Sequence, residues 1–267
     1  MATAAAVGPG LGRWPLVRAV EREVRVFSKL WRGTIFSTFL SPVLFLLAMG
    51  IGVGGMVNER SGGVRGLDYL AFIVPGIMAA SAMQTAAGDS MWGVMAGMKW
   101  MRFFHGMVAT PLRPADVYAG KVVWTGMRIA LSSSVFLCIA ALFGGVLSPL
   151  GVLAVPSTVL TAVAFSAVLS GWAATQETDK NFALVFRLGV MPLFLFSGTF
   201  FPISQLPDVV EPLSRLSPLY YGVDLCRMFT TGEPRWLDAL VNVTVLAAIT
   251  AIGWRFGTRS YTRRLAA

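Results

Sequence analysis

Long apolar runs recur along this chain of 267 residues, and few charges interrupt them. Each run is close to the length of about 20 residues that an α-helix needs to cross the hydrocarbon core of a bilayer. Only 13% of the residues are charged, whereas an average soluble domain has about 25%. The sequence therefore predicts an all-α protein that crosses a membrane several times.

We predict six transmembrane helices, because six runs are long enough and apolar enough to span the bilayer. They cover about residues 34–57, 68–94, 120–144, 150–174, 181–200 and 236–258. Residues 33–258 then form a single transmembrane domain. An Ala- and Gly-rich tail at 1–12, which we expect to be disordered, precedes it, and a basic cytoplasmic tail at 259–267 follows it.

Residues 13–32 carry apolar and basic side chains at helical spacing on opposite faces. The basic face comprises Arg18, Arg22, Arg25, Lys29 and Arg32. This pattern predicts an amphipathic helix at the membrane interface, with its basic face toward anionic head groups. A soluble helix would show the same pattern, but this one leads directly into the first predicted span.

Residues 201–234, which we call the outer segment, are apolar but interrupted by prolines. The segment is too interrupted for a seventh straight span. We predict two short re-entrant helices there, at about 206–216 and 218–230, which enter the outer leaflet of the membrane.

Lysine and arginine are distributed unevenly between the two sides of the predicted bundle. Sixteen fall on the side that carries both termini, against five on the other side. The positive-inside rule then predicts that both termini face the cytoplasm. The net charge of +9 arises from these positions beside the spans, so we predict no nucleic-acid partner.

The connector between the second and third predicted spans reads KWMRFFHGMVATPLRPADVYAGK over residues 99–121. We predict a helix at about 98–108 that ends before Pro111, with a broad apolar face that suits a groove on a soluble partner. The predicted contact residues are Trp100, Arg102, Phe103, Phe104, His105 and Met107. A helix lying on the lipid surface would show the same pattern, but the short connector favours docking.

Motifs for chemistry are missing from the sequence. It has no G-x-x-x-x-G-K-[ST], no H-E-x-x-H and no G-x-S-x-G, and His105 is its only histidine. We therefore predict no catalytic residue, no cofactor and no metal site, and any uphill transport must draw on a partner or an ion gradient. Cys138 and Cys226 fall at different predicted depths, so we predict no disulfide.

Three polar residues, Gln84, Asp89 and Arg128, lie inside predicted spans. Arg128 either extends to the inner interface or pairs with Asp89. Intramembrane ionisable groups are also typical of ion coupling. We favour a structural role, because no chain of carboxylates continues a proton path.

Four strings, in chain order, resemble the permease subunits of type-2 ATP-binding-cassette exporters. YLAFIVPG (69–76) resembles the start of that family's second span, and ATPLRPADVYAGK (109–121) resembles the stretch after its cytoplasmic coupling helix. FSGTFFPISQLP (196–207) and LSPLYYGVDLCRMFTTG (216–232) resemble its outer re-entrant segment. The most similar sub-groups are the nodulation-type lipo-oligosaccharide exporters and the daunorubicin-type drug exporters.

The resemblance implies a dimer of six-span permeases, with an identical copy or a paralogue, and two separate ATPase subunits below it in a bacterial cytoplasmic membrane. It implies that the coupling helix and the first amphipathic helix, with Arg18, Arg22 and Arg25, receive the movement of the ATPase. The substrate would be an amphiphile, such as a glycolipid, a lipid-linked glycan or a hydrophobic drug, that moves outward. Many family members carry an acidic residue early in the coupling helix, where this chain reads MKWMRFFHGM (98–107).

On the second short helix of the outer segment, Asp224 and Arg227 are three residues apart and are predicted to pair. With Tyr220 and Tyr221 they would cap the exit path and help to release substrate. The alternative is that they only orient a surface helix.

Two other classes of protein compete with the exporter. An intramembrane lipid-modifying enzyme would need a cluster of His, Asp, Glu or Cys at one depth, which the sequence lacks. An ion-coupled carrier would use the intramembrane ionisable groups instead. An adjacent reading frame with a P-loop would favour the exporter.

Overall fold

The computed structural model describes residues 15–61, 63–64, 66–205 and 210–266. These residues form eleven α-helices and no strand, apart from an isolated bridge between Val64 and Leu67. The α-helices are α1 (Pro15–Leu46), α2 (Gly54–Ser61), α3 (Tyr69–Met95), α4 (Phe103–Val108), α5 (Pro114–Leu142), α6 (Ala154–Ala173), α7 (Phe182–Val185), α8 (Met191–Phe196), α9 (Val210–Arg215), α10 (Pro218–Thr231) and α11 (Trp236–Leu265).

Shorter helical turns extend or join several of these helices. The π-helical turns are Leu47–Val53 after α1, Ala96–Trp100 after α3 and Phe186–Val190 between α7 and α8. The 3₁₀ turns are Pro149–Leu153 before α6 and Ile203–Gln205 before α9. The prediction of an all-α chain is therefore confirmed for the described residues.

Among the described residues, four helical stretches are long and apolar enough to cross a membrane. They are Tyr69–Trp100, Pro114–Leu142, Pro149–Ala173 and Trp236–Leu265, and they correspond to the second, third, fourth and sixth predicted spans. The fifth predicted span is represented by the shorter apolar stretch Phe182–Phe196. The count of six spans stays a prediction.

Several helix boundaries differ from the predicted ones. The third span begins at Pro114 rather than at residue 120, because proline suits the first turn of a helix and the Asp116 carboxylate accepts a hydrogen bond from the Arg113 backbone N–H at 3.0 Å. The helix α1 continues without interruption from the amphipathic stretch into the first predicted span as far as Leu46, where the π-helical turn Leu47–Val53 follows. The last helix continues into the predicted tail as far as Leu265. The predicted disordered residues 1–12 lie outside the described residues.

Glycines allow α11 to pack closely against its neighbours. Gly253 and Gly257 are four residues apart, which places them on one helix face. A Cβ at Gly257 would lie 2.3 Å from the ring of Tyr118 on α5, and one at Gly171 on α6 would lie 2.8 Å from the Cα of Gly257. Only glycine therefore fits where α5, α6 and α11 meet.

Long-range contacts define the two ends of the bundle. At one end, which we call the connector end, the start of α1, the end of α3, the start of α5, the loop after α6 and the end of α11 come together. At the opposite end, the Leu147 backbone N–H donates to the Thr230 carbonyl at 2.9 Å, and the Tyr69 backbone N–H donates to the Asn58 side chain at 3.0 Å. The short helices α9 and α10 belong to this opposite end.

Candidate functional site

The connector does not form the single helix that we predicted at 98–108. The π-helical turn Ala96–Trp100 continues α3, and Arg102 then adopts a left-handed conformation with φ 51° before α4 begins. The reversal returns the chain onto its own preceding turn, where a Cβ at Gly97 would lie 2.5 Å from the Phe104 ring. Burial of Phe104 against Gly97 thus accounts for the break.

The predicted contact residues divide into a buried and an exposed group. Phe104 is only 1% exposed and faces the interior, so it is not available to a partner. Phe103 and Met107 are half-buried. Trp100 is 55% exposed, and Arg102 and His105 are exposed beside it.

Met101 is 73% exposed next to Trp100 and was missing from the predicted set. We define Trp100, Met101, Arg102 and His105 as the connector surface. A helical wheel over 98–108 could not have identified this surface, because the helix breaks at Arg102.

The first helix contacts the connector through one of its predicted basic residues. The guanidinium carbon of Arg22 lies 3.5 Å from the centre of the Phe103 ring, and this arginine also pairs with Glu23 at 2.8 Å. Arg25 pairs with Glu21 at 2.5 Å on the exposed face of α1. Arg18 lines a groove of about 610 Å³ against residues 110–113. The Arg22–Phe103 contact thus fixes the start of α1 against α4.

One exposed carboxylate joins three parts of the connector end. Lys99 Nζ donates to the carbonyl oxygen of Glu177 at 2.6 Å and to its Oε2 at 3.1 Å, and Arg264 near the end of α11 donates to Oε1. The hydrogen bonds from Arg264 and Lys99 lower the pKa of Glu177 to about 2. We call these three residues the Glu177 bridge.

We had not predicted the Glu177 bridge, although its members could have been found. Alternating spans place the connector, the loop after the fourth span and the C-terminal end on one side of a bundle. Glu177 is one of two acids in that loop, together with Asp179.

The predicted pair between Asp224 and Arg227 in the outer segment is wrong. Asp224 Oδ1 accepts from Arg235 at 2.9 Å, and its Oδ2 accepts from the Asn242 side chain of α11 at 2.9 Å. Arg227 instead donates to the Gly198 carbonyl, just after α8, at 2.8 Å, and its guanidinium carbon lies 4.1 Å from the centre of the Phe72 ring on α3. Backbone carbonyls and an aromatic face satisfy this cation, so it does not need Asp224.

The two tyrosines of the predicted exit set contact each other. Their ring centres, in Tyr220 and Tyr221, are 5.4 Å apart, and both side chains are half-buried. Of the predicted outer helices, the second is observed as α10, whereas the first is described only from Val210 onward.

Inside the bundle, Asp89 on α3 and Arg128 on α5 form an ion pair with an N–O distance of 2.8 Å. This confirms the pairing that we had weighed against extension of Arg128 to the interface. The next residue on α3, Ser90, donates to Ser166 on α6 at 2.9 Å. Gln84 lies one to two turns away on α3 and is half-buried. The ion pair balances both charges within the bundle.

A small cavity of about 40 Å³ lies among α1, α3, α5 and α6. Its polar lining consists of Ser81, Thr85, Ser132, Ser133 and Thr158.

Within the described residues there is no group of three or more His, Cys, Asp or Glu side chains that could hold a metal ion. Both cysteines are free thiols: Cys138 is exposed and Cys226 is buried.

Known proteins resemble this chain over most of its length. The model of the ABC-2 type transporter family matches residues 17–229, which include both the connector and most of the outer segment. Nodulation protein J of Sinorhizobium fredii is 30% identical over 221 residues, 83% of each chain. Nodulation protein J of Rhizobium leguminosarum bv. trifolii is 29% identical over 92% of each chain. The inner membrane transport permease YadH of Escherichia coli is 27% identical over 79% of this chain and 80% of its own length.

Proposed function

The chain belongs to the ABC-2 type transporter family, and we propose that it exports an amphiphilic substrate across the bacterial cytoplasmic membrane. It is the membrane permease subunit of a transporter, and membership of this family implies a partnership with an ATPase subunit and a place in a cell membrane. We propose that ATP hydrolysis by this partner moves the connector.

The connector surface is the observation that carries the proposal. Trp100 and Met101 are large apolar side chains exposed at one end of a bundle, next to the cations Arg102 and the neighbouring Lys99. Exposed aromatic and apolar anchors with a charged rim are typical of a protein contact. The Arg22–Phe103 contact and the Glu177 bridge hold this surface in a fixed position.

We propose that six spans place both termini in the cytoplasm, and that two permeases assemble with two ATPases. The Glu177 bridge supports this topology, because it joins three segments that alternating spans would place on the same side. The excess of Lys and Arg on these segments supports the cytoplasmic assignment. In the complex, Arg18, Arg22 and Arg25 would lie beside the ATPase contact.

The substrate class rests on the lining of the bundle and on the relatives. The cavity among α1, α3, α5 and α6 has room for only a few water molecules, but its lining combines hydroxyl groups with apolar side chains such as Met78 and Phe136, as we expect along the path of an amphiphile. The relatives are named for nodulation and for transport. A glycolipid, a lipid-linked glycan and a hydrophobic drug all fit this description.

The alternatives have less support. An intramembrane lipid-modifying enzyme needs a cluster of reactive side chains, and the described residues hold none of the metal-binding kind. An ion-coupled carrier needs intramembrane groups that can bind and release an ion. The only intramembrane ion pair formed by the described helices is Asp89–Arg128, and each of its charges is already compensated by the other.

Co-purification tests the proposal. The chain is co-expressed with a P-loop ATPase from a neighbouring reading frame, and the complex is analysed for bound partner and lipid by mass spectrometry. Trp100→Ala combined with Met101→Ala should reduce recovery of the ATPase by about tenfold or more, because central apolar anchors dominate such contacts. Trp236→Ala is the matched control, since Trp236 is also mostly exposed, at the opposite end. Equal recovery with both variants would contradict docking at the connector surface.

A further inference from the structure

We propose that α11 carries the movement of the connector to the outer segment, so that ATPase docking at one end of the bundle acts on the exit at the other. The inference rests on the proposed function. It assigns positioning roles to Tyr118, Tyr261, Glu177 and Asn242.

A buried aromatic column links the connector to α11. The ring centres of Phe104 on α4 and Tyr261 on α11 are 5.8 Å apart, and those of Tyr261 and Tyr118 on α5 are 5.1 Å apart. All three side chains are almost completely buried. Because protein interiors are close-packed, a displacement of Phe104 has to move the rings behind it.

The column ends where three helices cross. The Tyr118 hydroxyl lies 3.0 Å from the carbonyl oxygens of both Ala167 on α6 and Gly253 on α11, so its single hydrogen is shared between two helices. Its ring fills the space that Gly257 leaves open. A displacement of Tyr261 therefore also displaces Tyr118 and the backbones that it binds at the α6–α11 crossing.

The Glu177 bridge is a second link between the connector and the same helix end. Lys99 immediately precedes the connector surface, and Arg264 lies three residues beyond Tyr261. The aromatic column is buried, whereas the Glu177 bridge is exposed and ionic, so the two links depend on different side chains. Both connect the connector to the last turns of α11.

At its other end, α11 contacts the outer segment. The Asn242 side chain donates to Asp224 on α10 at 2.9 Å, and Arg235, just before α11, pairs with the same carboxylate. The helix is 30 residues long, which corresponds to about 45 Å. A single rigid element thus touches both the connector and the outer segment.

The position of α11 allows it to move. Only 22% of its most apolar stretch is buried, compared with 78% for α3. A tilt of α11 would displace mostly surrounding lipid, whereas a tilt of α3 would displace packed side chains. Among the four long apolar helices, α11 is therefore the one that can shift with the least repacking.

The test measures nucleotide-dependent accessibility at the far end of α11 in the complex with its ATPase. Leu237, which is 81% exposed in the first turn of α11, is replaced by Leu237→Cys in a Cys138→Ser background. We measure its rate of modification by a membrane-impermeant maleimide, with and without ATP, Mg²⁺ and vanadate. Nucleotide should change this rate by about fivefold or more, the lower end of usual coupling between sites.

Two substitutions at one position separate transmission from folding. Tyr261→Phe keeps the ring and removes a hydroxyl that has no hydrogen-bond partner among the described residues, so the nucleotide effect should remain. Tyr261→Ala breaks the column and should abolish the effect. Should Tyr261→Ala fold poorly, the surface variant Glu177→Gln provides the second test and should reduce the nucleotide effect at least about twofold.

The outcomes distinguish the inference from the proposed function. If the ATPase does not co-purify with the parent protein, the proposed function fails. If it co-purifies and hydrolyses ATP but nucleotide does not change the rate at position 237, transmission through α11 is overturned. The same conclusion follows if Tyr261→Ala and Glu177→Gln both retain the full nucleotide effect.

Discussion

Asp224 and Arg227 lie three residues apart on α10, but their side chains contact different helices and share no hydrogen-bond partner in the described structure. Asp224 contacts Asn242 on α11, whereas Arg227 contacts the Phe72 ring and carbonyl on α3. The helix α10 is therefore held from two sides by charged side chains.

Removal of these two side chains should have independent effects on stability. Asp224→Ala leaves the buried Asn242 amide without its acceptor, which should cost about 1–3 kcal/mol. The double variant with Arg227→Ala should equal the sum of the two single variants within about 0.5 kcal/mol. Thermal unfolding in detergent measures these differences. Arg215→Ala, which removes only the exposed pair with Glu211, is the control, and a coupling above about 1 kcal/mol would show that Asp224 and Arg227 act as a pair.

The left-handed backbone at Arg102 predicts an unusual order of substitutions. This conformation costs a non-glycine residue about 1–2 kcal/mol. Arg102→Gly should therefore change stability little, because relief of strain offsets the greater entropy of glycine in the unfolded chain. Arg102→Val should destabilise the protein, since β-branched residues avoid this conformation. Unfolding midpoints of the two variants check the order, and a stable Arg102→Val protein would argue against the observed turn.

The Glu177 bridge should persist to low pH. Because the folded pKa of Glu177 is lowered from 4.5 to about 2, the bridge contributes stability above pH 4.5, and this contribution is lost as the pH falls through about 2. Carbon-13 NMR of labelled glutamate in nanodiscs should show a carboxyl that titrates far below the others. Arg264→Ala should raise that midpoint toward 4.5, and Arg263→Ala, at the adjacent position, is the control. A Glu177 midpoint near 4.5 in the parent protein would exclude the bridge.

Two glycine substitutions should have opposite effects. Gly257→Ala places a Cβ 2.3 Å from the Tyr118 ring, so it should destabilise the protein by about 1–3 kcal/mol through overpacking. Gly88→Ala on α3 meets nothing within 4 Å and should stabilise it by up to about 1 kcal/mol, because alanine favours helices. Unfolding of the two variants in the same detergent compares them directly. Similar stabilities would mean that α5 and α11 are farther apart than observed.

The stability of the protein should depend on Asp89 and Arg128 being present together or absent together. Asp89→Ala leaves a mostly buried cation without its counter-ion and should cost about 3–5 kcal/mol. Replacement of both residues, by Asp89→Leu and Arg128→Leu, should cost much less, because no charge remains uncompensated. If the double variant folds and transports normally, the pair is structural. Loss of transport in a stable double variant would instead support ion coupling.

The sequence was sufficient for features that depend on local patterns. Apolar runs identified α3, α5, α6 and α11, because helix length and hydropathy are properties of consecutive residues. The prolines and the apolar face likewise indicated α10. Family resemblance in the connector and the outer segment identified the protein class without any tertiary information.

Features that depend on packing between distant segments could not be predicted. Phe104 and Phe103 are adjacent and chemically identical, but only Phe104 is buried, because its partners Gly97 and Tyr261 come from two other helices. The spacing of Asp224 and Arg227 allowed a pair, but a donor on α11, Asn242, and a carbonyl acceptor after α8, Gly198, bind these side chains instead. Spacing along one helix indicates which side chains can meet, but it does not reveal which hydrogen-bond partners other segments provide.

The partners that hold the connector also impose an order on biosynthesis. Lys99 and Glu177 are separated by 78 residues, and Glu177 and Arg264 by 87. A nascent chain that has already inserted α3 and α5 still lacks Tyr261 and Arg264, so its connector is held only by the Arg22–Phe103 contact and by packing against Gly97. Because non-local contacts form last, the docking surface matures only after the final helix leaves the ribosome. Truncated translation products would therefore present no competent surface to the ATPase, and the assembly would accept only full-length subunits.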